Sequence, residues 1–118
     1  PVFYNGHMIS PPPKYAGLCF RMRPVQDLNA CNRLLFSICS PDNSISQIKV
    51  EIKNTGHRDQ DFFHFSLSDQ WTDCVIDLEG VSDSIRSNVE EICFVLTLSS
   101  FTTESLAGSF QLCDIRAE

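Results

Sequence analysis

Trp71-Thr72-Asp73-Cys74-Val75-Ile76-Asp77-Leu78, Ile92-Cys93-Phe94-Val95-Leu96-Thr97-Leu98 and Gly108-Ser109-Phe110-Gln111-Leu112-Cys113-Asp114-Ile115-Arg116 are three short runs in which apolar side chains recur at every second position. Polar or glycine-containing segments flank each run. A period of two places alternate side chains on one face of an extended chain, whereas a helix needs spacings of three and four. The C-terminal third therefore reads as strands half-buried against a core.

The same period extends upstream. Tyr15 to Arg23 is a strand with Leu18, Phe20 and Met22 on one face and Cys19, Arg21 and Arg23 on the other, ended by Pro24. Val25 to Asn32 is a loop. Arg33 to Cys39 is the next strand, with Leu34, Phe36 and Ile38 on one face, and Ser40-Pro41-Asp42-Asn43-Ser44 is a turn by composition. The cleanest alternation sets Ile48, Val50 and Ile52 inward and Lys49, Glu51 and Lys53 outward. Asn54-Thr55-Gly56 closes that strand, and His57 to Asp61 reads as an exposed loop. In the following run Phe63, Phe65 and Leu67 form the core set, leaving Phe62, His64 and Ser66 opposite. Glu79 to Glu91 is polar, with Ile85 and Val89 four apart, and reads as a helical turn or a draped loop. Ser99 to Ala107 is a hairpin loop in which Phe101 is exposed.

Residues 1–14 end in Pro11-Pro12-Pro13, which cannot join the interior of a sheet. They read as an N-terminal arm or linker with a short edge strand at Val2–Tyr4, and residues 15–118 as the folded domain. Seven or eight strands without a long helix imply an all-β fold. Packing them as a β-sandwich of two antiparallel sheets uses both faces of the pattern and hides strand edges.

A chain of 118 residues, 42% apolar, suffices for one domain with one core. A net charge of −6 repels phosphate backbones and argues against nucleic acid as a partner. No apolar run approaches the roughly 20 residues of a membrane-spanning helix. Five of the six cysteines lie inside apolar strand runs, where a free thiol behaves as a small buried hydrophobe. Reduced, structural thiols are therefore expected, and no pair has the spacing of a zinc knuckle or redox motif. The carboxylates Asp59, Asp61, Asp69 and Asp73 form no recognisable acid/base pair, and His7, His57 and His64 show no ligand spacing, so the expectation is a non-catalytic protein.

Trp71, Ile76-Asp77-Leu78, Ile92, Phe94-Val95-Leu96, Gly108, Phe110 and Asp114-Ile115-Arg116 form a rhythm that resembles the β-jelly-roll carbohydrate-binding modules of bacterial plant-polysaccharide hydrolases. The likeness runs over residues 15–118. It implies a jelly-roll module, part of a larger extracellular or cell-surface chain, that holds an attached enzyme near its polysaccharide. The same fold also serves protein-interaction modules and intracellular assembly factors, the alternative reading, for which the reduced cysteines and a cytoplasmic location go together. Members of the family often hold a structural calcium; Asp114 matches the aspartate position, while Cys113 stands where a second aspartate often sits and the usual acidic N-terminal strand has no counterpart.

A sugar chain presents hydroxyls to polar side chains and apolar C–H faces to aromatic rings. The candidate ligand-binding residues are accordingly the outward ones: Tyr15, Arg21, Arg23, Glu51, Lys53, Phe62, His64 and Gln111, with Lys49 beside them. Trp71 is expected at the core or rim, and Tyr4 is a further ring beside a flexible segment. Acidic composition favours a neutral glucan over an anionic pectin.

Overall fold

The computed structural model describes residues 3–8, 15–102 and 108–118, and of residues 3–8, 15 and 16 the backbone alone. Among these residues the strands are β1 (Phe3–Met8), β2 (Tyr15–Gln26), β3 (Arg33–Cys39), β4 (Gln47–Asn54), β5 (Gln60–Ser66), β6 (Thr72–Asp77), β7 (Val89–Thr97) and β8 (Gly108–Ala117). One sheet has the order β1-β8-β3-β6 and the other β2-β7-β4-β5, with every pairing antiparallel. Successive strands thus mostly alternate between two packed sheets, which is the jelly-roll path. The expected all-β sandwich of two antiparallel sheets is present.

Alternation within each strand builds the core. Leu34, Phe36 and Ile38 from β3, Ile48, Val50 and Ile52 from β4, Ile92, Phe94 and Leu96 from β7, and Phe110 and Leu112 from β8 are all buried. Phe36 ties the layers together. Its ring meets Phe65 edge-on at 5.2 Å and Phe94 at 5.1 Å, while Phe94 meets Phe20 at 5.9 Å. Such T-shaped pairs add attraction beyond burial, because the positive edge of one ring faces the negative face of another.

Four details depart from the sequence reading. Phe3–Met8, placed in the arm except for an edge strand at Val2–Tyr4, is a strand along β8, from Phe3 opposite Cys113 to Met8 opposite Gly108. Pro24 does not end β2: the Arg23–Pro24 peptide is cis, and the strand resumes pairing at Gln26 after a register irregularity. β7 starts at Val89 rather than Ile92, so Glu90 and Glu91 belong to the sheet. Phe101 is not an exposed loop ring; its backbone bridges Ile45 and its side chain packs on the core. The helical turn expected around Ile85 is α1 (Asp83–Arg86), with Ile85 buried beneath it.

The β3–β4 turn is pinned by a small polar knot. Asp42 Oδ1 accepts from the Ser44 hydroxyl and backbone N–H and from the Ser40 hydroxyl, while Ser44 Oγ accepts from Ser109 N–H at 2.9 Å. The hydrogen bonds from Ser44 come first in holding the Asp42 carboxyl below its ordinary value, because they favour the charged form. A group depressed in the folded state contributes stability above its unfolded titration range, about pH 4, and that contribution disappears as pH falls through the folded value. Asp42→Ala should therefore lower the melting temperature at neutral pH, and the gap from the wild type should close on acidification to about pH 2. Thermal melts of both proteins across that range check it.

Candidate functional site

The outer face of the β2-β7-β4-β5 sheet collects most of the outward residues expected from the alternation. Its rows follow from the strand registers. Arg21 lies opposite Glu91, Glu91 opposite Lys53, and Lys53 opposite Gln60. In the next row Cys19 faces Cys93, Cys93 faces Glu51, and Glu51 faces Phe62. Gly17, Val95, Lys49 and His64 make a third row in the same way. Arg21, Glu51, Lys53, Phe62 and His64 are thus neighbours on one surface, with Lys49 in the third row beside His64.

The β5 edge of this face carries its aromatic character. Phe62 is 54% exposed, an unusual state for a phenylalanine on a strand. Strand parity turns the ring outward, and Lys49 Nζ stands 5.3 Å from its centre, a cation–π contact on its face. Lys49 and Lys53 both reach Glu51, at 3.0 Å and 3.5 Å, forming a charged ladder down β4. His64 is exposed beside this ladder. Between β4 and the end of β7, Gln47, Lys49, His64, Thr97 and Ser99 border a shallow notch. Ammonium, carboxylate and imidazole groups of Lys49, Glu51 and His64 therefore flank the exposed ring, and the notch opens farther along the same face.

Three candidates fall elsewhere. Gln111 sits on β8 in the opposite sheet, paired with Cys39 and Asn5, so it cannot share a ligand surface with Phe62. Strand parity gave its outward direction, but sheet membership follows from topology. Arg23 is exposed on β2 in the stretch where that strand loses register with β7, outside the rows. Tyr15 begins β2 opposite Thr97; its side chain, like that of Tyr4, lies outside the described residues. Trp71, expected at the core or rim, is not in the core: it precedes β6 and is 45% exposed.

Asp114, the calcium candidate, is exposed at a positive φ of 55°. It shares a cavity of about 270 Å³ with Asp73, Ser37 and Arg116 on the other sheet, and Asp73 already accepts from Ser37 Oγ at 2.6 Å. Calcium takes six to eight oxygen ligands. Among the described residues, Asp114 and Asp73 belong to no cluster of three or more His, Cys, Asp or Glu ligand atoms.

Sequence reasoning missed the interior of the face. Cys19 and Cys93 form a disulfide, contrary to the expected reduced thiols, while Cys31, Cys39, Cys74 and Cys113 are free. The pair are direct cross-strand partners on the outward side of β2 and β7, a relation that no spacing in the sequence encodes. Burial pushes the Cys39, Cys74 and Cys113 thiols up from their ordinary range, so these three behave as the inert core thiols expected of all six. Without reductant, the unfolded protein should show four reactive thiols, and six after reduction. A thiol titration in denaturant checks both counts.

No family model matches the sequence, and no curated protein matches it. Solved structures do match the fold. A structure of an exo-β-agarase superposes at TM-score 0.77 with 12% identity, over 97% of this chain but only 20% of the agarase. A family 11 carbohydrate-binding module from Clostridium thermocellum, solved with a β-1,3-1,4-mixed-linked tetrasaccharide, gives TM-score 0.65 at 14% identity, covering 98% of this chain and 82% of the module. A family 30 module of a Clostridium thermocellum cellulosomal cellulase gives 0.61 at 12% identity, over 88% of this chain and 66% of its own. At these identities the likeness establishes the β-sandwich fold of such modules and leaves the ligand to the side chains of this chain.

Proposed function

We propose that this domain is a non-catalytic carbohydrate-binding module that takes a neutral β-linked polysaccharide across the outer face of the β2-β7-β4-β5 sheet. The observation that carries this reading is the exposed Phe62 ring with His64, Lys49, Glu51 and Lys53 grouped around it on adjacent strands. The ring offers an apolar platform to a sugar face, and the polar groups offer hydrogen bonds to hydroxyls. The face is held by a paired ladder on regular strands, so little ordering cost accompanies binding. Arg21, paired with Glu91 at 3.8 Å, would flank the chain at the β2 side. The mixed-linkage tetrasaccharide bound by the family 11 module and the agarase match are consistent with a neutral ligand.

The domain would act as one part of a longer chain, raising the local concentration of an attached enzyme at its substrate. Its match to a fifth of the agarase chain suits that role, and a disulfide on the ligand face suits an extracellular or cell-surface setting.

Native affinity electrophoresis through gels containing soluble mixed-linkage β-glucan, xyloglucan, mannan, a neutral galactan or pectin tests the reading. Retardation by at least one neutral polymer is expected, and no retardation by any of them overturns it. Phe62→Ala should weaken binding about tenfold, equivalent to roughly 1.4 kcal/mol, without lowering the melting temperature appreciably, since an exposed strand ring contributes little to folding. Full affinity in the variant would move the site off this face.

A further inference from the structure

The same sheet face holds a cluster that glycan binding does not use. Cys19 Sγ, Cys93 Sγ and a Glu91 carboxylate oxygen lie within 4.8 Å of one another. Glu91 is a buried carboxylate, with a residue exposure of 8%, and its Oε2 takes no hydrogen bond from any described residue. His57 Nε2 stands 2.8 Å from that oxygen and Arg21 3.8 Å, neither contact having hydrogen-bond geometry. A buried carboxylate oxygen without a hydrogen bond is costly, and the Arg21 guanidinium at 3.8 Å offsets that cost only from a distance. The imidazole is delivered by the short turn after β4, which is anchored where Gly56 N–H donates to Glu90 Oε2 at 3.0 Å.

We infer that, once the Cys19–Cys93 bond is reduced, Cys19, Cys93 and Glu91 supply three ligands of a four-coordinate site for a thiophilic divalent cation of the Zn²⁺ class, and that His57, which touches Glu91 but stands outside that group of three, swings in on its turn as the fourth. Two thiolates, an imidazole and a carboxylate are zinc's ordinary donors, at about 2.3 Å for sulfur and about 2.0–2.2 Å for nitrogen and oxygen. Tetrahedral geometry at those lengths spaces the donors roughly 3.3–3.8 Å apart. Thiolates released from a covalent bond need to move apart only a little to reach that spacing, and the sheet already sets their positions.

The chemistry balances with an external thiol as reductant. Two R–SH reduce the cystine to two cysteine thiols and leave as R–S–S–R. Zn²⁺ then displaces the two thiol protons to solvent. The cluster carries the same net charge in both states, because two thiolates offset the incoming dication. The chain is made with its cysteines reduced, so the cation and the oxidation that forms the disulfide compete for the same two sulfurs.

The test uses the full chain, reduced with dithiothreitol and freed of it by anaerobic gel filtration. Added Co²⁺ should give a thiolate-to-cobalt charge-transfer band and intense tetrahedral d–d bands at one ion per chain, both abolished by one equivalent of Zn²⁺. The oxidised chain should give neither. Cys93→Ser should remove the charge-transfer band or halve it, whereas Cys31→Ser should leave it intact. His57→Ala, whose side chain is partly exposed and whose loss should spare the fold, should weaken Zn²⁺ binding at least tenfold. A reduced, folded chain without cobalt bands, or an unchanged spectrum in both Cys93→Ser and His57→Ala, overturns the proposal. If Cys93→Ser fails to fold, the His57→Ala result decides alone. Glycan affinity of the oxidised chain is untouched by any of these outcomes, so the two proposals stand or fall separately.

Discussion

Phe36→Ala should remove about 3–5 kcal/mol of stability, the range for deleting a buried phenylalanine ring. On a domain of this size that lowers the melting temperature by roughly 10–20 °C and can consume a large part of the total. The reason lies in where the ring sits. Phe36 belongs to β3 in one sheet, yet its edge-on partners Phe65 and Phe94 belong to β5 and β7 in the other. Its side chain is 1% exposed, so truncation opens a cavity between the layers that neither rigid sheet can collapse to fill. Val75 supplies the control. It lies on β6, paired with Leu35 next to the Phe36–Cys74 pair, but is 49% exposed on the outer face. Val75→Ala should change stability by no more than about 0.5 kcal/mol. Urea titrations of the two variants give the comparison; equal midpoints would mean that the sheets are not held together through these rings.

The contrast between Phe36 and Val75 shows what the sequence makes legible. Side-chain direction is local, so alternation correctly turned Phe36, Ile48, Val50 and Ile52 inward and Phe62 and His64 outward. Register and sheet order are not local. Cys19 and Cys93 are 74 residues apart, and only the pairing of β2 with β7 makes them neighbours. Gln111 shares its outward parity with Phe62, but its strand joins the other sheet. Glu91 was assigned to a polar loop because charge usually marks solvent, whereas here flanking strands cover it and His57 and Arg21 approach it. The Phe62 side of the candidate site was therefore readable from period and residue type. The cysteine–carboxylate centre was not, because it exists only as a relation between two strands, β2 and β7, and the turn that carries His57.

Gly17→Ala should be nearly as damaging as loss of the Phe36 ring, though it adds a single methyl group. Gly17 lies opposite Val95 where β2 crosses β7. A Cβ on Gly17 would meet the Phe94 carbonyl oxygen at 2.2 Å and both the Phe94 carbonyl carbon and Val95 Cα at 3.1 Å. These are backbone atoms of the central strand β7, which is hydrogen-bonded on its other side to β4, so they cannot swing aside as a side chain would. The edge strand β2 must move instead. Overpacking in a core ordinarily costs about 1–3 kcal/mol; here displacement also weakens the ladder from Tyr15 to Arg21, and a loss of at least about 3 kcal/mol is expected. Gly80→Ala is the matched control, since a Cβ there meets nothing within 4 Å and its stability should stay within about 0.5 kcal/mol of the wild type. The displacement has a chemical signature as well. Moving β2 separates Cys19 from Cys93, so oxidation of the reduced variant by air should be slower than for the wild type. A Gly17→Ala protein that melts with the wild type and recloses its disulfide at the same rate would show that β2 has room against β7, contrary to this packing.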